Sequence, residues 1–142
     1  MTHITIPGDP QGWQRTRTGN GQHFTAPETR AYQNTIRWLA KAAHMQVITG
    51  PVSVVIEAHY RIPESATKKR KAAMLAGEEY PTKKPDVDNV VKNVLDALNM
   101  MAWTDDAQVV SLSVSKVWSD SPRVEVCVEP FKQRAVSDRR AA

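Results

Sequence analysis

Residues 52 to 62 alternate apolar and polar without a break. Val52, Val54, Ile56, Ala58, Tyr60 and Ile62 fall on one side, and Ser53, Val55, Glu57, His59 and Arg61 on the other. Successive side chains of an extended chain point to opposite faces, so this stretch predicts a half-buried strand, ended by Pro63. Such a strand needs a sheet covered on one face. A second period supplies the cover: Val87, Val90, Val91, Val94, Leu95, Leu98 and Met101 recur at helical spacing as a broad apolar stripe. The chain has 142 residues, 41% hydrophobic and 24% charged, which suits one folded domain and leaves no room for two normal cores.

The other elements follow from shorter signals. His3 to Ile6 read as a strand stopped by Pro7-Gly8, and residues 7 to 23 as a loop rich in Gly, Gln and Arg. Thr25-Ala26-Pro27-Glu28 has the form of a capping box opening a helix to about Val47, with Tyr32, Ile36, Leu39, Ala43 and Val47 on one face. Residues 65 to 76 suggest a short basic surface helix capped by Ser65 and stopped by Gly77, and Pro81 and Pro85 keep residues 81 to 86 extended. Asp88 is the expected N-cap of the core helix. Val110 to Trp118 and Val124 to Val128 alternate around the turn Ser119 to Pro122 and form a hairpin candidate. The tryptophans Trp38, Trp103 and Trp118 read as core or dimer interface. Strands and helices are mixed, so the expected fold is α+β, a single domain over residues 1 to 131 with a mixed sheet and helices packed on it. Residues 132 to 142 are small and polar and read as a tail.

Composition excludes some classes. The lone Cys127 rules out a disulfide scaffold and fits a reducing compartment. No apolar run approaches the roughly 18 residues of a membrane span, and the start lacks the shape of a signal peptide, so a cytoplasmic protein with no membrane partner is expected. His3, His23, His44 and His59 show no ligand spacing. The net charge is +4, and its distribution says more than its size. Lys68, Lys69, Arg70, Lys71, Lys83 and Lys84 border a run of acids, Asp86, Asp88, Asp96, Asp105 and Asp106.

That border is where chemistry is expected. Asp86 and Asp88 are two apart in a segment read as extended, so they face one side, and Lys92 lies one helical turn beyond Asp88. Carboxylates held close repel one another, and a divalent cation removes that cost. Hard oxygen ligands suit Mg²⁺ or Mn²⁺, a neighbouring lysine stabilises charge on a phosphate, and basic flanks hold further phosphates. Read this way, the segment performs metal-dependent phosphodiester hydrolysis. For Asp106 to reach Asp88, the chain must double back after the helix. A bare D-x-D also fits glycosyltransferases, phosphatases and calcium loops, Asp88 alone is a good N-cap, and Asp105-Asp106 alone are good turn residues. Spacing by itself leaves a metal nuclease level with a non-catalytic junction- or duplex-DNA-binding protein.

The stretch Lys84-Pro85-Asp86-Val87-Asp88-Asn89, continuing through Lys92 and Asp96 to Asn99, then Trp103-Thr104-Asp105-Asp106-Ala107-Gln108-Val109, closely resembles the RusA family of Holliday-junction resolvases, most of all the phage and prophage versions. The start, with Ile6-Pro7-Gly8, an arginine-bearing loop and Thr25 to Tyr32, resembles the family more loosely. The resemblance implies a RusA-like fold and a homodimeric endonuclease that cuts opposed strands of four-way DNA with Mg²⁺, Mn²⁺ substituting. It implies Asp86, Asp88 and Asp106 as metal-binding catalytic carboxylates, Asp105 as a possible further ligand, and Lys92 as the catalytic lysine. Asp96 would have a structural or supporting place. Arg15, Arg17, Lys68, Lys69, Arg70, Lys71, Lys83 and Lys84 would hold the DNA arms. Trp13 would either stack on a base or anchor its loop. A metal nuclease acting on flaps or other branched DNA is the enzymatic alternative.

Overall fold

The computed structural model describes residues 1–15, 17–19 and 21–132. The expected tail therefore lies, Lys132 apart, outside the described residues. In chain order the elements are β1 (Thr2–Pro7), β2 (Arg17–Gly19), β3 (Gln22–Phe24), α1 (Pro27–Ala42), β4 (Val52–Arg61), α2 (Lys68–Leu75), α3 (Val87–Leu98), a single 3-10 turn (Asp106–Gln108), β5 (Val109–Ser119) and β6 (Arg123–Pro130). The loop expected over residues 7 to 23 carries the small antiparallel ribbon β2–β3, with Arg17 opposite Phe24.

The main sheet is mixed, in the order β1-β6-β4-β5. β1 pairs with β6 and β6 with β4 antiparallel, while β4 pairs with β5 parallel. One face buries Val52, Val54, Ile56, Ala58 and Tyr60 of β4 and Val124, Val126 and Val128 of β6. Tyr32, Ile36 and Ala40 of α1 and Val90, Val94, Ala97 and Leu98 of α3 join them in one core. The expected α+β domain is thus built as one mixed sheet with helices on a face.

The hairpin expected between the last two strands does not form, because β4 lies between them. The strand with the most continuous apolar face takes a central place. Residues 120 to 122 then cross two strand spacings of about 4.8 Å each, which so short a segment can span when extended. Ser119 braces the crossing: its Oγ accepts from the Ser121 backbone N–H at 3.0 Å and from Arg123 Nη1 at 3.3 Å.

Helix ends also move. α1 has Ala26, not Thr25, at its N-cap, with no side-chain cap hydrogen bond. Pro27 sets the first helical φ, which puts the cap on the residue before it. α1 stops five residues short of Val47: His44 turns left-handed (φ 56°) and Met45 N–H closes on Ala40 O at 3.0 Å. Burial of Met45 wins, and Val47 stays exposed. Thr67, not Ser65, caps α2, its hydroxyl accepting from Arg70 N–H at 3.2 Å. α3 starts two residues early, with Asp86 as N-cap and Asp88 in the first turn. Of the tryptophans, Trp103 is fully buried, donating Nε1–H to Asn99 Oδ1 at 2.8 Å, Trp118 is half-buried and Trp38 is exposed.

Candidate active site

The site grows from the start of α3. Asp86 adopts the extended cap conformation but its carboxylate makes no cap hydrogen bond, so its oxygens stay available. Asp86 and Asp88 are both exposed, and Lys92 stands one turn along the same helix. The two aspartates do not share an extended segment as the spacing suggested. Asp86 caps the helix and Asp88 lies in its first turn, where the helix dipole favours negative charge.

The first loop closes over this helix end. Trp13 N–H donates to Asn89 O at 3.0 Å, and Asn93 Nδ2 donates to Gln11 O at 3.1 Å. Asn93 is fully buried and also accepts from Gln33 Nε2 of α1 at 3.1 Å. Gly12 fits where a Cβ would meet the Cβ atoms of Pro85 and Asn89 at 3.0 and 3.1 Å. An open cleft of about 500 Å³ remains between residues 10 to 14 and Lys84, Pro85, Asp86 and Asn89. Lys92 Nζ lies 3.6 Å from the centroid of the Trp13 ring. Trp13 is therefore a lysine-binding platform as well as a loop anchor.

Tyr60 enters from β4. Its hydroxyl donates to Pro85 O at 2.5 Å. Burial, and then the charge of Asp86, push the phenol up to about 12, so it stays a neutral donor. Lys116 Nζ lies 4.8 Å from the Tyr60 ring centroid and donates to Lys83 O at 2.7 Å, while Lys83 Nζ lies 5.5 Å from the Trp118 ring centroid. Aromatic faces thus hold a basic collar beside Asp86. Sequence reasoning missed Tyr60 and Lys116 because both sit in strand alternation and carry no motif.

Asp106 opens the 3-10 turn after α3. Gln108 holds that turn: its Oε1 accepts from Thr104 N–H at 2.9 Å, and its Nε2 donates to Ile48 O and Gly50 O at 2.8 and 2.9 Å. The Asp106 carboxyl is raised above the ordinary range by burial first, then by a hydrogen bond with Asp105, then by the charges of Asp105 and Asp96. The chain does double back after α3, and it returns Asp106 to the neighbourhood of Asp96. Asp96 lies eight residues, about 12 Å of helix, beyond Asp88. Among the described residues, the Asp86, Asp88 and Asp106 ligand atoms do not form a group within 4.8 Å; the group that does is Glu57, His59 and Glu125.

The remaining basic candidates divide. Arg15, Lys83 and Lys84 are exposed, as are Lys68 and Lys69 on α2. Arg70 is committed to an ion pair with Glu79, and Lys71 is half-buried. Arg17 lies in β2, and its side chain is outside the described set.

Fold and site together define a small α+β domain that presents aspartates and a lysine at one helix end with basic side chains nearby, an arrangement suited to phosphate chemistry. The chain belongs to the RusA endodeoxyribonuclease family, whose model matches residues 7–129. It is 42% identical over 132 residues to the uncharacterized protein YqaN of Bacillus subtilis, covering 88% of this chain and 93% of that protein. It is 29% identical over 117 residues to the crossover junction endodeoxyribonuclease rusA of Enterobacteria phage 82, with 81% and 82% covered. The same identity holds over 116 residues with the crossover junction endodeoxyribonuclease RusA of Escherichia coli K12, with 80% and 81% covered. No helix among the described residues is long and apolar enough to cross a membrane.

Proposed function

We propose that this protein is a metal-dependent, structure-specific DNA endonuclease that resolves four-way (Holliday) junctions by paired symmetric nicks, in recombination and repair. The observation that carries the reading is the exposed trio Asp86, Asp88 and Lys92 at the start of α3, in a chain of this family.

The donor set fits a divalent cation. The Asp86 carboxylate is not spent on capping, and the Asp106 carboxyl is crowded by two others, a cost that a cation relieves. Mg²⁺ is usually held by one or two carboxylates plus waters and substrate phosphate oxygens, so a preformed protein trio is not needed. Asp86, Asp88 and Asp106, with Asp105 beside them, would hold Mg²⁺ or Mn²⁺. When bound, such an ion lowers the pKa of water and offsets charge on the phosphate.

Lys92 leaves the face of Trp13 to meet the scissile phosphate and stabilises its developing charge. Neutral Tyr60 fixes Pro85, and so fixes Asp86 beside it. Lys83, Lys84, Lys68, Lys69 and Arg15 hold flanking phosphates, which gives shape-based and salt-sensitive affinity. A homodimer with two-fold symmetry sets one site on each of two equivalent strands. Residues 1 to 131 are the catalytic domain, and the products carry 5′ phosphates and 3′ hydroxyls.

The test is an end-labelled four-way junction incubated with protein in Mg²⁺ or EDTA, with Asp88→Asn in parallel. Symmetric, religatable, Mg²⁺-dependent cuts that vanish in the variant while binding persists are expected. Binding without cutting in any divalent metal would make the protein a DNA-binding module. Preferential cutting of a competing flap substrate would make it a flap nuclease.

A further inference from the structure

Glu57, His59 and Glu125 lie on strands whose alternate residues, Ile56, Ala58, Val124 and Val126, point into the core beneath α1 and α3. The trio therefore occupies the opposite face of the sheet. Glu57 and Glu125 are directly paired across β4 and β6, and His59 is two residues along β4 from Glu57. One ligand atom from each lies within 4.8 Å of the other two. Spacing along the chain could not reveal this, because Glu125 is brought in by strand pairing.

The histidine marks the group as more than a charged patch. The His59 side chain is 9% exposed, and its Nε2 lies 2.6 Å from Glu57 Oε1 and 3.2 Å from Glu125 Oε2. Yet Nε2 is fully buried and makes no hydrogen bond, so neither oxygen lies in line with a ring N–H. A buried neutral imidazole nitrogen this close to two carboxylates is costly unless a proton or a metal cation sits between them. The surrounding charge leaves room for a cation. Arg123 Nη2 and His3 Nε2 each stand 3.6 Å from Glu125, so two carboxylates face one permanent positive charge.

We propose that Glu57, His59 and Glu125 form a second divalent-metal site, of the class filled by Zn²⁺, that clasps β4 to β6 on the sheet face away from α3. One imidazole nitrogen and two carboxylate oxygens are ligands that Zn²⁺ takes at about 2.0–2.2 Å, with water completing a tetrahedron. Such ligands stand about 3.3 Å apart, so the Glu125 contact already fits and Glu57, whose side chain is 46% exposed, has only to back away by a fraction of an ångström. The site is independent of the junction-cutting reading.

The test titrates Zn²⁺ into the metal-free full chain. Bound ions are counted by equilibrium dialysis, and the His59 ring nitrogens are followed by long-range ¹H–¹⁵N NMR. One Zn²⁺ per chain is expected at this site, with the Nε2 resonance moving to a metal-bound position. This ion persists in the Asp86→Asn/Asp88→Asn/Asp106→Asn variant. Affinity falls at least tenfold in His59→Gln and in Glu57→Gln, the latter removing a half-exposed group without disturbing the core. Unchanged affinity in Glu57→Gln, loss of the ion in the triple aspartate variant, or a His59 imidazolium that excess Zn²⁺ does not alter would each overturn the proposal. The last result would identify the trio as an ion-paired histidine.

Discussion

Lys92 is stored rather than free. A cation 3.6 Å from an indole centroid is held by about 0.5–2 kcal/mol, enough to fix the long side chain in place and little enough to release it to a phosphate. Lys92→Ala should cut single-turnover junction cleavage by roughly 10²-fold or more, the cost typical of losing one group that stabilises the transition state. Trp13→Ala should cost about tenfold, and Trp13→Phe should recover most of it while junction affinity changes little. Equal loss in both tryptophan variants would remove the platform role. Asp106 gives a second residue-scale expectation. Its carboxyl is raised by burial and by Asp105 and Asp96, so the folded state favours the protonated form. The stabilising contribution is complete below the ordinary aspartate pKa of about 3.9 and is lost as pH rises through the raised value. At pH 7 in EDTA, ionised Asp106 is a net cost, and Asp106→Asn should melt a few degrees higher than the parent. Mg²⁺ should raise the parent's melting temperature and leave the variant's nearly unchanged.

The elements act through one polar tie. Gln33 of α1, Asn93 of α3 and the backbone of Gln11 form a chain of hydrogen bonds through a site where Asn93 is fully buried. Arg37 Nε adds a bond from α1 to Ala97 O near the end of α3, at 3.1 Å. Truncating Asn93 leaves the buried Gln33 Nε2–H without its acceptor and releases the Gln11 carbonyl. Asn93→Ala should therefore cost about 1–3 kcal/mol in urea denaturation. It should also loosen residues 10 to 14, so cleavage should fall more than stability alone explains under conditions where the variant is fully folded. Parent-like cleavage in a destabilised Asn93→Ala protein would show that the loop finds its place without the tie.

At the scale of the molecule, the two chemical faces of the sheet are separated. The helix-covered side leads to Asp86, Lys92 and the collar of Lys83, Lys84 and Lys116, while the other side carries Glu57, His59 and Glu125. Binding through the collar should release counterions. Replacing Lys83 and Lys84 together by alanine should weaken four-way and duplex DNA alike and reduce the slope of log affinity against log salt by about 1–2. Fluorescence anisotropy across a salt series checks this. An unchanged slope would put those lysines outside the DNA footprint.

What the sequence alone determined is local. The alternation around Ile56 and the stripe from Val90 to Leu98 specify a strand and a helix, because an element's period is set by its own backbone geometry. The four-residue step from Asp88 to Lys92 was legible for the same reason, since residues four apart on a helix share a face, but the cap was not, because Asp86 takes the place expected of Asp88. Helix starts were legible to within two residues, and Pro27 and Met45 show why the exact bounds were not, since a proline overrode a plausible cap and one buried side chain overrode an apolar stripe. Tertiary structure decided the rest. It put β4 between β5 and β6, laid Trp13 on Lys92, set Tyr60 against Pro85, turned Asp106 back to Asp96, and joined Glu125 to His59. Each of these contacts joins residues from separate elements, and only the packing of the whole core selects which strands and loops become neighbours.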